Sequence, residues 1–552
     1  MWLSIANVLM VCMTCRVCAE VFTSMADLEK ILYAENDVAI DLKRYIASEE
    51  QRIGKLKRIA EDYEHHSSLA LEDVDKHLAN PVNAFLLVKR FTSDWDVVLD
   101  LIRNTTGPEF LTKLEDTTSC FPTSDDLTGA ASALLRLQDV YALKTEQIAK
   151  GRLRGVKNSP ELSAEECFEI GRTAYNDADY YHAVMWMQHA LDIERSGPDS
   201  TLDEALLLDY LAYSTYLQGN VKHALNLTNE LLTLGSSRRQ GTMLIPSLDP
   251  VHVRARNNKK YYEEMIAEEA MKRRQAALGD TGDVEVEAEK DEIHNERKLD
   301  EYRKSSDFTS YERLCRGEET HVYEHAHKLT CQFRRHHPMF YINPLREEVM
   351  YLDPRIVVFH NLITDAEIAK VKELAKPRLN RATVQNPQTG KLETANYRVS
   401  KSAWLKDEED PLIKSISLKS AALSNLTLTT VEELQVLNYG IGGHYEPHYD
   451  FARKTERGTF EEWRGNRVAT VIYYMTDIEA GGGTVFTNIG VRLFPEKGAC
   501  AIWYNLRRNG EGDMKTRHAA CPVLVGQKWV CNKWFHERGQ EFSRSCALDP
   551  VE

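Results

Sequence analysis

The chain has 552 residues, a length that predicts three or four domains and excludes a single small module. Hydrophobic residues make up 43% and charged residues 28%, an ordinary globular balance that excludes low-complexity and collagen-like sequence. Formal charge is −15, from 69 Lys and Arg against 84 Asp and Glu, so the basic footprint of a general nucleic-acid binder is lacking.

The first nineteen residues, MWLSIANVLMVCMTCRVCA, are dominated by apolar residues from Trp2 to Met13 and close on small residues at Val17-Cys18-Ala19. They read as a secretory signal peptide, residues 1–19, cleaved before Glu20, with an apolar run too short for a membrane span. No later stretch of about 20 apolar residues follows, so the mature chain is expected without a membrane span, in an oxidising compartment. Eight cysteines then remain: Cys120, Cys167, Cys315, Cys331, Cys500, Cys521, Cys531 and Cys546. Eight allow 105 full pairings, and spacing alone selects none. Glycosylation sequons stand at Asn104, Asn226 and Asn425.

From Leu28 to Tyr63, residues Leu28, Leu32, Ala39, Leu42, Ile46, Ile53, Leu56, Ala60 and Tyr63 follow one 4-3 register with charges between them. The pattern predicts an amphipathic helix that needs a partner, either within its own chain or in a second copy. Glu35 and Glu49 fall on the seam, so a bundle or a short dimer contact fits better than a continuous zipper. Helical patterning continues through Phe85–Ile102 and Leu127–Ile148, giving an all-helical first domain over residues 20–150.

Four helix-sized segments follow between Leu162 and Leu234. Two share a His-Ala start, at His182-Ala183 and His223-Ala224, which suggests two helix-turn-helix repeats. In the first, Gly171, Ala183 and Ala190 stand at the small-residue positions of a tetratricopeptide repeat, where close helix packing leaves no room for larger side chains. The two His-Ala pairs lie 41 residues apart (182 to 223) rather than one repeat length, so the inter-repeat turn must be longer. Tyr175, Tyr180, Tyr181, Tyr210, Tyr213, Tyr216, Tyr261 and Tyr262 crowd this region. Tyr210 and Tyr213, three apart, share a helix face. Such rings either fill the repeat core or form an aromatic groove for an extended proline-rich peptide, already ordered as polyproline II. We place this domain at residues 160–270, followed by a charged linker over 271–310 whose acidic run, Gly279 to Glu296, reads as solvated chain.

After about Tyr311 the helical period gives way to short strand-like runs: Val357–Phe359, Leu434–Leu437, Val468–Tyr474, Thr484–Phe486, Cys500–Tyr504 and Lys528–Phe535. Glycine clusters at Gly440–Gly443 and Gly481–Gly483 separate them, predicting a β sandwich or barrel over residues 311–552. Within it lies Tyr445-Glu446-Pro447-His448-Tyr449-Asp450. Residues two apart on a strand share a face, so His448 and Asp450 can present an imidazole nitrogen and a carboxylate to one ion. His518 offers a second imidazole, and two His with one carboxylate form the facial triad of non-haem Fe(II) oxygenases, with three coordination positions open. Ten residues on, Lys528 starts a strand on which Val530, Asn532, Trp534 and His536 share its face. A Lys aimed into an apolar barrel needs an anion, which an acidic co-substrate would supply.

These residues carry a resemblance. The stretches Glu433–Val436, Tyr445–Arg453, Arg517–Gly526 and Asn532–Gly539 resemble the catalytic domain of collagen prolyl 4-hydroxylase α subunits, and the likeness extends over nearly the whole mature chain. It implies a multidomain α + β chain: a helical N-terminal dimerisation domain, a tetratricopeptide-like peptide-binding domain and a C-terminal double-stranded β-helix. It implies Fe(II) on His448, Asp450 and His518, with the distal carboxylate of 2-oxoglutarate on Lys528. Tyr439 and Thr484 match positions that help hold the co-substrate. His536 matches the family's additional histidine, which assists 2-oxoglutarate binding or its decarboxylation. Arg467 and Trp534 match positions lining the peptide channel, while Tyr175, Tyr210, Tyr213, Arg254, Asn258 and Tyr261 match the proline-peptide groove. The resemblance pairs Cys315 with Cys331 and Cys521 with Cys546. Cys167 matches a further family cysteine, whereas Cys120, Cys500 and Cys531 are additions; Cys531 faces away from Lys528 and reads as a small core hydrophobe. An insertion from Ser236 to Leu248 lengthens the run into the Arg254 helix.

The implied activity is hydroxylation at C4 of peptidyl proline in X-Pro-Gly sequences of procollagen chains, coupled to decarboxylation of 2-oxoglutarate to succinate and CO2 by O2, with L-ascorbate keeping the iron reduced. The chain ends Leu548-Asp549-Pro550-Val551-Glu552, without a lumenal retention tetrapeptide, so residence in the endoplasmic reticulum lumen would rest on a retained partner. The resemblance names protein disulfide isomerase, as β subunit in a tetramer of two α and two β subunits. Two alternatives are a catalytically silent proline-rich-peptide-binding subunit and a dioxygenase acting on lysine or on a non-collagen protein. The intact His448, Asp450, His518 and Lys528 argue against the first, and the aromatic middle domain argues for proline.

Overall fold

The computed structural model describes residues 20–48, 53–103, 121–153, 156–157, 159–197, 202–237, 250–279, 295–385, 391–456, 459–547 and 549. The signal peptide, Asn104, Cys120, the insertion beyond residue 237, most of the acidic run and nearly all of the last five residues lie outside them. Residues up to Ala142 and from Tyr302 onward form one unit, and Leu143–Glu301 form a second.

The first unit opens with helices α1 (Met25–Ser48), α2 (Ile53–Glu72), α3 (Val74–Ala79), α4 (Pro81–Arg90), α5 (Ser93–Arg103) and α6 (Ser124–Tyr141). The expected seam is real and is covered by the chain itself: Leu28, Leu32, Ala39 and Leu42 of α1 and Leu56, Ala60 and Tyr63 of α2 are all buried. The seam carboxylate Glu35 is buried too, and Arg90 of α4 meets it at 2.6 Å. A charge on an apolar stripe persists because a guanidinium reaches it.

The second unit holds α7 (Thr145–Ala149), α8 (Ala164–Asn176), α9 (Tyr180–Ser196), α10 (Glu204–Leu217), α11 (Val221–Ser237) and α12 (Pro250–Gly279). Side-chain caps start these helices: Ser163 and Glu166 form a capping box on α8, and Asp179 and Asp203 accept from the first-turn amides of α9 and α10. Gly171 of α8 leaves Met187 of α9 no space to spare, since a Cβ there would sit 3.2 Å from it, and Ala183 and Ala190 are fully buried. The small-residue pattern thus reports genuine close packing between paired helices.

From Ser306 the chain forms α13 (Ser306–Arg316) and then a double-sheet β structure. Its strands are β1 (Cys331–Arg334), β2 (Leu345–Leu352), β3 (Arg355–His360), β4 (Asn380–Arg381), β5 (Lys401–Leu405), β6 (Leu434–Tyr439), β7 (Tyr445–His448), β8 (Arg467–Tyr474), β9 (Thr484–Phe486), β10 (Val491–Leu493), β11 (Cys500–Tyr504), β12 (His518–Ala520) and β13 (Lys528–His536). Nine join in the order β1-β2-β3-β11-β8-β13-β6-β5-β4, and four in the order β7-β12-β9-β10. Alternation divides β6 cleanly. Leu434 and Val436 enter the core cluster shared with the helices α14 (Asp365–Ala375) and α15 (Pro411–Ser424), while Leu437 and Tyr439 enter the cluster shared with strands of the smaller sheet. These two helices correct the purely β expectation for this region. Both start on strong caps, Thr364 with Glu367 and Asp410 before Pro411, and cover the large sheet's outer face.

The disulfide expectation is also corrected. Cys315 is joined to Cys521, with their Cα atoms 5.5 Å apart, while Cys331 and Cys546 are exposed free thiols. The reason is placement: α13 packs against β7 and β9, bringing Cys315 beside the residue that follows β12, whereas Cys331 lies on the edge strand β1. Cys531 is fully buried beside Trp529 in the helix-facing core, as its strand parity implies, and burial pushes its thiol up to about 12.

Candidate active site

Sequence places His448 and His518 seventy positions apart (518 − 448), and the small sheet brings them together. They pair directly across the antiparallel β7–β12 ladder, with Asp450 at the bend just past β7. Ligand atoms of all three lie within 4.8 Å of one another, and no other such group exists among the described residues. Nδ1 of His448 donates to the Glu446 carbonyl at 2.8 Å, and Nδ1 of His518 to that of Thr516 at 2.9 Å. Each imidazole thereby turns its Nε2 toward the Asp450 carboxylate, at 3.7 and 3.6 Å. Burial, followed by the neighbouring His518, holds His448 down to about 3, and Tyr445 stacks on its ring at 3.6 Å. Burial works against ionisation of Asp450, but His518, His448 and Arg467 hold it down to about 2. Its Oδ2 accepts from Thr470 Oγ1 at 2.7 Å and from Trp534 Nε1 at 3.0 Å. Asn505 in turn donates to Thr470, and Trp503 to Asn505. Two imidazoles and a braced carboxylate are the donor set that suits Fe(II).

The three ligands line a cavity of about 950 Å³ between the sheets, together with Tyr439, Thr484, Arg467, Lys528 and Trp534. Lys528 is 1% exposed, and its Nζ has no hydrogen-bond partner among the described residues. The ammonium sits 4.8 Å from the Tyr439 ring centroid, and burial alone pushes it down to about 7. An orphaned amine at this depth is stable as a cation only with an anion in the cavity. Thr484 also lines the cavity, and its Oγ1 accepts from Tyr474 OH at 3.0 Å. A small dicarboxylate fits the chemistry: one end toward the metal donors, the other toward Lys528.

Arg467 and Trp534 also meet the cavity, with the guanidinium stacked 3.9 Å from the indole centroid. Glu432 fixes that guanidinium with contacts of 2.5 and 2.8 Å. His536 departs from expectation. Although it follows Trp534 on the same strand face, it does not line the cavity. It is 1% exposed, its Nδ1 donates to the Gly465 carbonyl at 2.7 Å, and its Nε2 lies 2.8 Å from Glu432 Oε1. Through Glu432 and the Phe460 ring, 5.1 Å away, it touches two residues that do line the cavity.

The second unit carries the aromatic residues as a partly exposed ladder. The rings of Tyr175 and Tyr210 lie 4.8 Å apart, Tyr175 and Tyr213 6.2 Å, Tyr213 and Tyr216 5.9 Å, and Tyr216 and Tyr261 5.8 Å. Of these positions only Tyr262 is fully buried, at the foot of the ladder against Tyr216. Arg254 is tied to the buried Asp209, and Asn258 stands one turn further along α12, beside Tyr261.

Sequence reasoning missed Thr470, Asn505, Glu432 and Tyr445. Thr470 had a signal, being the one hydroxyl inside the apolar run from Val468 to Ile472. Asn505 and Glu432 lie just outside strands, where a polar residue is unremarkable.

Comparison with known proteins matches three family models along the chain. Residues 24–155 match the prolyl 4-hydroxylase alpha-subunit N-terminal region, residues 164–268 its peptide-substrate-binding domain, and residues 434–536 the 2OG-Fe(II) oxygenase superfamily. The chain is 45% identical over 550 residues to prolyl 4-hydroxylase subunit alpha-2 of Caenorhabditis elegans, covering 98% of this chain and 96% of that one. It is 45% identical over 535 residues to the human subunit alpha-1, covering 96% of each. Among solved structures, a viral collagen prolyl hydroxylase from Paramecium Bursaria Chlorella virus-1 aligns over 32% of this chain and 94% of its own, at 21% identity and a TM-score of 0.26.

Proposed function

From the premise that this chain belongs to the prolyl 4-hydroxylase alpha-subunit family, we propose how its own residues divide the work of an Fe(II)- and 2-oxoglutarate-dependent dioxygenase that hydroxylates prolines of collagen-like chains. One observation carries the assignment of roles: the unpartnered Lys528 ammonium in the same cavity as the His448, Asp450 and His518 donors. His448, Asp450 and His518 would hold Fe(II), which supplies activation of O2 coupled to decarboxylation of 2-oxoglutarate to succinate and CO2. Lys528 binds the distal carboxylate, and Tyr439 and Thr484 shape that end of the cavity. Thr470 and Trp534 hold the Asp450 carboxylate in one orientation, so the donor set keeps its geometry through turnover. Trp534 and Arg467 present a flat, cationic wall at the cavity, suited to seating a proline-bearing peptide backbone beside the reacting centre. Glu432 and His536 keep that wall rigid.

In the middle unit, the tyrosine ladder with Arg254 and Asn258 offers flat rings at intervals to a polyproline II segment. We extend the reading to L-ascorbate as reductant, to protein disulfide isomerase as β subunit beside a second α subunit, and to the endoplasmic reticulum lumen. The Cys315–Cys521 bond and the exposed sequon residues Asn226 and Asn425 suit that compartment. We take residues 20–150, 160–270 and 311–552 as the proposed functional partition. Incubating the co-expressed complex with a (Pro-Pro-Gly) repeat peptide tests the reading. Hydroxyproline at C4, identified by mass spectrometry, supports it, and succinate formed with no residue of the peptide oxidised overturns it.

A further inference from the structure

The strand that carries Tyr439 has a polar residue on its other face. Asn438 of β6 points outward, next in the row after Leu434 and Val436, and is 0% exposed. A buried amide on an apolar face requires partners. They come from the far end of the sequence: Ser24 Oγ donates to Asn438 Oδ1 at 2.9 Å, and the Ala26 amide donates to the same oxygen at 3.0 Å. Ala26 itself joins the core cluster beneath α14 and α15, and the Asn438 amide nitrogen reaches back to the Lys528 carbonyl at 3.5 Å. One side chain thus ties the start of the helical region to both strands that bear Tyr439 and Lys528.

Further contacts converge on the same place. Ile441 donates to the Phe22 carbonyl at 3.0 Å, and Gly440 admits that segment so closely that a Cβ would lie 2.0 Å from it. Arg136 of α6 donates to Gly442 O at 3.2 Å, and Tyr141 OH to Pro522 O at 2.5 Å. At the turn before Lys528, Gly526 donates to the Ala79 carbonyl at 2.9 Å and Gln527 to Asp75 at 2.6 Å. Lys401 of β5 pairs with Asp27 at 2.7 Å. These contacts brace the turns on either side of Tyr439 and Lys528, whereas the ligand Asp450 is held by groups of the β structure itself.

We propose that Asn438 is a positioning residue: with Ser24 and Ala26 it clamps the helical N-terminal region onto the strands bearing Tyr439 and Lys528, and so sets the affinity for 2-oxoglutarate. The inference rests on the assignment of Lys528 to that co-substrate. Binding of 2-oxoglutarate and docking of the segment Phe22–Asp27 are then linked, and linkage is reciprocal. Anything that shifts the helical region, a second α subunit included, reaches the active site by this route.

The test uses the full chain co-expressed with its partner, 2-oxoglutarate titrated by calorimetry under argon with Mn(II) as the probe metal. Asn438→Ala strands two buried donors, so 2-oxoglutarate binding weakens about tenfold while affinity for a proline-rich peptide is unchanged. Ser24→Ala, which removes one hydroxyl and leaves the fold intact, weakens it by about threefold. The double variant is no weaker than Asn438→Ala, because both changes break one contact. In the wild-type chain, saturating 2-oxoglutarate slows amide hydrogen exchange at residues 22–27. Lys528→Ala serves as the control that separates the two readings. If it weakens binding and the Asn438 and Ser24 variants do not, the clamp is overturned and the site assignment stands. If Lys528→Ala binds 2-oxoglutarate like wild type, the site assignment falls and the clamp with it. Additive effects of the two substitutions, or exchange at 22–27 indifferent to 2-oxoglutarate, also overturn the clamp.

Discussion

Replacing Lys528 by Met removes a buried charge and keeps a side chain of similar length, so the cavity wall survives while the anion loses its partner. Two effects of opposite sign follow. In the ligand-free protein, burial lowers the amine from 10.5 to about 7, which at roughly 1.36 kcal/mol per pH unit is a cost on the order of 5 kcal/mol at neutral pH. Even a third of that, recovered by the neutral Met, raises Tm by about 4 °C at roughly 2–4 °C per kcal/mol. With 2-oxoglutarate the balance reverses. Leaving a buried carboxylate without its partner costs about 2–5 kcal/mol, which at about 1.4 kcal/mol per tenfold weakens binding at least 30-fold. Differential scanning calorimetry with and without the dicarboxylate reads both. The Met variant melts higher than wild type alone and loses the ligand-dependent rise in Tm. A variant that melts lower in the absence of ligand, or that keeps the rise, refutes the reading of Lys528 as an amine waiting for an anion.

Trp534→Phe deletes the 3.0 Å hydrogen bond to Asp450 while keeping an aromatic wall; a loss of ten- to a hundredfold in Fe(II) affinity is expected by anaerobic metal titration. Affinity for 2-oxoglutarate should depend on pH with a definite sign. Below pH about 7 the free amine is already protonated and affinity is flat; above it, binding must take up a proton and affinity falls by up to tenfold per pH unit, as calorimetry in buffers of different ionisation heat would show. Peptide mapping without reductant should recover Cys315 linked to Cys521, and a Cys315–Cys331 peptide would contradict the fold described for α13.

Sequence displayed the site more fully than the surroundings. Strand parity put His448, Asp450 and Lys528 on inward faces because a period of two survives in short buried strands, and parity also placed Cys531 correctly on the outer face. His518 could be recruited only through its motif, since its place opposite His448 depends on how two distant segments pair. Parity gave the face of His536 but not its partners. The face is the expected one, but Glu432 and the Gly465 carbonyl intercept the side chain, and neither neighbour is visible from local spacing. The helices α14 and α15 were hidden by the strand-rich composition around them, although Thr364 with Glu367 and Asp410-Pro411 are start signals that could have found them. The Cys315–Cys521 bond, spanning 206 residues, was beyond spacing arguments altogether.

On the proposed reading, His448, Asp450, His518 and Lys528 act as one machine that couples 2-oxoglutarate to proline. The most direct measurement is the stoichiometry of succinate and 4-hydroxyproline formed on a (Pro-Pro-Gly) repeat peptide, with a His448→Ala variant alongside. One succinate is expected for each hydroxyproline, with both products lost in the variant. Succinate without hydroxyproline, or turnover that survives loss of His448, would contradict it.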